Sequence, residues 1–130
     1  MTESVSTSHD NAVILAVDDA PENLDIVKNL LSPQYRVKAA VNGAMALKIA
    51  GRQPPDLVLL DVQMPGMDGY EVCRQLEADP LTSAIPVIFL TGESVVESEV
   101  AEAGGDAYVS KPIDPTVLLP IVEKHLARTD

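Results

Sequence analysis

A chain of 130 residues holds one domain, and at that size a hydrophobic core suffices without disulfides or a structural metal. Twenty acidic residues against nine basic ones give a formal charge of −11, a field that disfavours direct binding to nucleic acid or to an anionic membrane. The single cysteine, Cys73, excludes an internal disulfide and suits a reducing compartment.

Residues 1–10 are polar and lack the basic start and apolar stretch of a secretion signal. They are expected to form a disordered leader to a domain over 11–128. No apolar run approaches the length that crosses a bilayer, so the expected location is the cytoplasm. Five short apolar runs follow, at 12–17, 35–39, 56–60, 86–90 and 107–109, rich enough in Val, Ile and Leu to suit strands buried on both faces of a parallel sheet. The second alternates with Arg36 and Lys38 and reads as an edge strand. Between the runs, apolar residues recur at helical spacing: Leu24, Val27 and Leu31; Gly69, Val72, Cys73 and Leu76; Val96, Val100 and Ala103; Leu118, Ile121, Val122 and His125. Alternation of strand and helix predicts five β-α units, an α/β sheet covered on both sides. Pro21 and Pro115 suit first helical turns, and Gly104 with Gly105 suits a helix end. Pro120 removes a hydrogen bond inside the last helix and predicts a kink or a delayed start.

Ligands of open α/β sheets bind outside the C-terminal ends of the strands. Asp18 and Asp19 fall just past the first run, Asp61 past the third, Thr91 past the fourth and Lys111 past the fifth. Folding would gather three carboxylates, a hydroxyl and an ammonium in one crevice. Clustered carboxylates repel one another, and a divalent cation held by oxygens alone, Mg2+ above all, would relieve them together with Lys111. An electropositive centre beside an aspartate also suits phosphoryl transfer, with the aspartate as covalent acceptor. Each feature has a plainer reading as well: Val-Asp-Asp serves as a turn and helix cap, and a Thr after a strand caps the next helix. Their co-occurrence, each at the end of a different strand, is what carries the functional reading.

The segments ILAVDD (14–19), DLVLLDVQMPGMDG (56–69), PVIFLTG (86–92) and AYVSKP (107–112) resemble the response-regulator receiver (CheY-like) domain, over nearly the whole chain from 11 to 126. The resemblance implies a doubly wound, flavodoxin-like fold: five parallel strands in the order 2-1-3-4-5, with five helices in an α/β/α sandwich. It implies that Asp61 accepts a phosphoryl group from a phosphohistidine on a sensor histidine kinase or a histidine phosphotransfer protein. Asp19 would ligate Mg2+ directly, Asp18 mainly through water, and Asp61 and the backbone carbonyl of Gln63 would complete the protein ligands. Lys111 would pair with the acceptor and then with the phosphoryl oxygens, and the Lys111–Pro112 bond would be cis. Thr91 and Tyr108 would form a switch pair that reshapes the surface of the fourth helix, fifth strand and fifth helix for a downstream protein target. Gly92 would leave room for the partner histidine, while Met64, Pro65 and Gly66 shape the turn after the acceptor.

The pattern departs from the resemblance in one stretch. Thr91 and Lys111 are 20 positions apart, about two fewer than in related receivers, which predicts a shortened fourth helix or preceding loop. That segment, 93–102, carries Glu93, Glu97, Glu99 and Glu102 with no base, a solvated face or one selecting a basic partner. His9, His125 and Cys73 are expected outside the site. The expected function is a signalling phospho-acceptor rather than an enzyme, assisting its own phosphorylation and hydrolysis. It would act as a single-domain protein or as a piece of a larger regulator or hybrid kinase. A docking module that has abandoned phosphorylation is the alternative. An aspartyl-phosphate phosphatase of the haloacid-dehalogenase type is disfavoured, because the position of its second acid is Gln63.

Overall fold

The computed structural model describes residues 12–32, 34–92 and 97–127; residues 1–10, expected to form a leader, and Asn11, Glu93, Val96 and Arg128 lie outside them. Five strands, β1 (Val13–Val17), β2 (Arg36–Ala40), β3 (Leu57–Asp61), β4 (Val87–Thr91) and β5 (Ala107–Ser110), alternate with α1 (Pro21–Leu31), α2 (Gly43–Arg52), α3 (Gly69–Ala78), α4 (Glu97–Glu102) and α5 (Pro115–Ala127). All four strand pairings are parallel and the order is β2-β1-β3-β4-β5, so the edge strand foreseen from its mixed pattern is at the edge.

Strand alternation splits the apolar side chains between two cores. Ile14, Ala16, Leu57, Leu59, Ile88 and Leu90 pack with Leu24, Val27 and Leu31 of α1 and Leu118, Val122 and Leu126 of α5. Leu15, Val17, Val58, Leu60, Val87 and Phe89 face the opposite layer, formed by α2, α3 and α4. Strands β3 and β4 are buried along their whole length, which is why they read as unbroken apolar runs. Each Leu or Ile buried there contributes about 1.5–3 kcal/mol.

The strands differ from the apolar runs by one residue at several ends. Tyr35 is not part of β2 but a buried side chain preceding it, and β3 and β4 extend to Asp61 and Thr91 themselves. Main-chain pairing carries the ladder past the last apolar residue: Val62 N–H still donates to the Leu90 carbonyl at 3.1 Å. Helix α2 has a fully buried face of small residues, Gly43, Ala46 and Ala50, flanked by the half-buried Leu47 and Ile49, and it is capped by Asn42, whose side chain accepts the Met45 N–H at 2.8 Å. Helix α5 begins at Pro115 and runs through Pro120, so the delayed start does not occur. Pro120 and Thr116, whose carbonyl it leaves without a helical donor, are both exposed. Helix α4 is described over Glu97–Glu102; the stretch 93–96 before it, where the short spacing from Thr91 to Lys111 predicts a shortened helix or loop, lies outside the described residues.

Cys73 is fully buried in α3, where burial first, then Glu77 and Asp106, push its thiol up to about 12. Above pH 9 the unfolded chain sheds this proton while the folded one keeps it, so unfolding free energy falls as pH rises from about 9 to 12. Native protein at pH 8 is therefore expected to resist alkylation at Cys73 and to react promptly once denatured. Rapid native labelling, followed by mass, would contradict this burial.

Candidate functional site

The strands deliver their C-terminal residues to one edge of the sheet. Asp18 and Asp19 follow β1, Asp61 ends β3, Thr91 ends β4 and Lys111 follows β5, joining positions up to 93 apart in sequence. One carboxylate oxygen from each of Asp18, Asp19 and Asp61 lies within 4.8 Å of the others. Asp18 and Asp61 are 2% and 4% exposed, while Asp19 opens to solvent. Lys111 Nζ sits 3.0 Å from Asp18 Oδ2 and 3.4 Å from Asp61 Oδ1.

Asp18 is the better satisfied of the buried pair. Its Oδ1 accepts the Ala20 N–H at 2.9 Å, and its Oδ2 accepts from Asn23 Nδ2 at 3.2 Å as well as from Lys111. Lys111 thus leans more on Asp18 than on the acceptor with which the resemblance pairs it. Asp61 Oδ1 accepts the Gln63 N–H at 3.3 Å, and its Oδ2 has no protein partner among the described residues. Burial and the neighbouring Asp18 charge raise the pKa of Asp61, against the lowering pull of Lys111 and the Gln63 N–H. Burial opposes the charge on Lys111, but the hydrogen bond to Asp18 and the charges of Asp61 and Asp18 outweigh it and hold the ammonium above its usual pKa. Three carboxylates sharing one ammonium leave an excess of negative charge. An oxygen-only set of this kind, open on the Asp19 side, fits a hard divalent cation that keeps part of its water.

Asn23 has no counterpart in the sequence reading. It stands in the first turn of α1, where the helix start points back at the end of β1, and a polar residue two positions after Pro21 is its only signal in the sequence. Gly69 does more than complete the helical stripe of α3. A Cβ at that position would lie 2.3 Å from the Asp61 carbonyl oxygen, and its N–H donates to the Val62 carbonyl at 2.8 Å, so glycine lets α3 start against the main chain of the third strand. Asp68 caps that helix by accepting the Glu71 N–H at 2.9 Å. Gly69→Ala is expected to cost about 1–3 kcal/mol in denaturant unfolding. A wild-type midpoint would show that the contact relaxes freely.

Thr91 is buried and pairs in register with Ser110, while Tyr108 pairs with Phe89 and is 36% exposed. By strand alternation Thr91 and Tyr108 stand on the same face as Phe89, the face covered by α2–α4. The Lys111–Pro112 bond is cis. Around the Cβ position of Gly92 no described atom lies within 4 Å. The turn after Asp61 buries Met64 and holds Gly66 at φ +79°, and beside it lies a groove of about 510 Å³ lined by Val62, Gln63, Met64, Pro65, Asp68 and Tyr70. His125 is buried in α5 with Nδ1 2.8 Å from the Ile121 carbonyl, outside this site. No described helix is long and apolar enough to cross a membrane.

A doubly wound sheet with an acidic crevice at its carboxyl edge defines the class of protein. The family model of the response regulator receiver domain matches residues 14–123, and the chain belongs to that family, the phospho-acceptor modules of two-component signalling. It is 48% identical over 115 residues to a probable cyclic di-GMP phosphodiesterase of Vibrio cholerae, covering 87% of this chain but 26% of that protein. It is 37% identical over 119 residues to protein PilH of Pseudomonas aeruginosa, covering 89% of this chain and 98% of PilH. The receiver domain of sensor histidine kinase PA1611 from Pseudomonas aeruginosa, crystallised with magnesium coordinated in its active site cleft, superposes with a TM-score of 0.83 at 30% identity, covering 90% of this chain and 98% of that one. The chain thus spans about a quarter of the phosphodiesterase and nearly all of PilH.

Proposed function

We propose that Asp61 is the phospho-acceptor of this receiver and that a histidine kinase or histidine phosphotransfer protein supplies the phosphoryl group. The observation that carries this reading is the environment of Asp61: a buried carboxylate with one oxygen held by Lys111 and Gln63 and the other without a protein partner among the described residues. In the transfer, Asp61 Oδ2 attacks phosphorus. A P–O bond forms, the P–N bond of the phosphohistidine breaks, and its electron pair returns to the imidazole of the donor. The groove beside the turn after Asp61 and the position of Gly92, clear of described atoms, would give that imidazole its approach.

Lys111 holds a fixed positive charge where phosphoryl oxygens would arrive, and Asp18, itself tied down by Ala20 and Asn23, keeps that ammonium in place. Asp19, Asp61, the carbonyl of Gln63 and, mainly through water, Asp18 would hold Mg2+, which when bound neutralises the carboxylates and the transferring group. The Thr91 hydroxyl then turns to the phosphoryl oxygens, and Tyr108 moves from its exposed position toward the space Thr91 leaves. Both stand on the face that α4 covers, and Tyr108 belongs to the edge strand β5, so the change reaches the surface that α4, β5 and, across that edge, α5 would form for a downstream protein. In this reading the domain spans 11–128, works in the cytoplasm without contacting nucleic acid, and is a signalling acceptor rather than an enzyme acting on a free substrate. It serves either alone or as part of a longer regulator or hybrid kinase.

Incubation with a small-molecule phosphodonor and Mg2+ tests this. The expected result is a gain of one phosphoryl mass that maps to Asp61. No gain under any donor would mark a docking module instead.

A further inference from the structure

Charge is unevenly distributed along this acidic chain. Residues 26–55 contain Lys28, Arg36, Lys38, Lys48 and Arg52 and no acid, so they carry +5, while the remainder, with all twenty acids and four bases, carries −16. Folding places Lys38 and Arg52 together at the open edge of the sheet, on a groove of about 660 Å³ whose apolar lining is Ala39 and Ile49. None of Arg36, Lys38, Lys48 or Arg52 has an ion-pair partner among the described residues; Lys38 donates only to the Gln53 side chain. Val41 and Met45, 40% and 43% exposed, are two of the few large apolar side chains on the surface, and Met45 lies on α2 in line with Ile49 and Arg52.

Basic residues on an edge strand are a usual guard against strand pairing. That accounts for Arg36 and Lys38. It does not account for Lys48 and Arg52 on the neighbouring helix, for the apolar residues beside them, or for thirty residues without an acid.

We propose that the β2–α2 face is a docking surface for an acidic segment of a partner protein that also carries apolar side chains. Positive charge on the rim attracts and orients such a segment, and Met45, Val41 and Ile49 offer the apolar contact that makes the complex last. The −16 on the rest of the molecule repels a long polyphosphate, whereas a short acidic segment confined to this face meets only its positive field. The exposed apolar residues likewise favour protein over nucleic acid as occupant. The surface lies on the opposite edge of the sheet from β5, so it adds a contact to the receiver without competing with the proposed output surface.

A fluorescent peptide rich in Glu and Leu, titrated into the full chain and followed by anisotropy, is the test. Binding should weaken with salt and fall at least about tenfold in Arg36→Glu/Lys38→Glu/Arg52→Glu. The control Arg74→Glu/Lys124→Glu, which reverses two exposed charges elsewhere, should bind like wild type. Amide shifts in the wild-type NMR spectrum should concentrate at Val37, Ala39 and Met45. No binding, equal binding by the triple variant, or shifts confined to other faces would overturn the proposal. So would tighter binding of an oligothymidylate than of the peptide, or self-association in sedimentation that the triple variant abolishes.

Discussion

Asp61→Asn is expected to take up no phosphoryl group from a small-molecule donor with Mg2+, a loss of at least about 100-fold against wild type. Asparagine keeps the volume and the carbonyl that accepts the Gln63 N–H, but its amide nitrogen is no nucleophile. The fold should survive. Burial and the Asp18 charge already disfavour the ionised form of Asp61, so a neutral isostere removes repulsion, and the variant should be as stable as wild type or more stable by about 1 kcal/mol without divalent cation. Lys111 keeps its shorter contact, to Asp18, in the variant. Intact-mass spectrometry and thermal melting measure the two effects separately. Label persisting at another residue at the wild-type rate would refute the assignment, and a molten variant would show that the carboxylate is structural.

Lys111→Ala is the counterpart on the cationic side. Its removal leaves Asp18 and Asp61 facing each other with no positive charge between them, and the lysine is about one-fifth exposed, so solvent screens part of the cost. About 1–3 kcal/mol of stability should be lost in the absence of divalent cation, and much of it recovered with Mg2+. Mg2+ should still bind, because no ligand is removed, yet phosphorylation should slow by about 10- to 100-fold. The pH profile supplies a check. A lysine whose folded pKa is raised stabilises fully below its unfolded value and loses that contribution as pH climbs through the folded one, so wild type should lose this stability above about pH 10. The variant should lack that limb. Lys111→Met, which keeps the aliphatic stem, separates charge from packing. Wild-type phosphorylation kinetics in both variants would show that the ammonium is not used.

Much of this molecule is local information. The runs that became β3 and β4 are apolar at every position because both their faces are covered, and the stripes of α1, α3 and α5 recur at helical spacing because each helix buries one side. The acids and Lys111 could be placed at strand ends from the chain order alone. Helix α2 is harder to read, since its fully buried stripe is the small residues Gly43, Ala46 and Ala50, while its larger apolar residues Met45, Leu47 and Ile49 are exposed or only half-buried. Only the tertiary structure decided that Asp18 rather than Asp61 is the nearer partner of Lys111, that Asn23 reaches Asp18, and that Gly69 closes on the Asp61 carbonyl. Those facts depend on sheet register and helix entry angle, which bring residues far apart in the chain within hydrogen-bonding distance. Hydrophobic periodicity says which face of an element is buried, but hydrogen-bond partners across elements are chosen by how the elements finally pack.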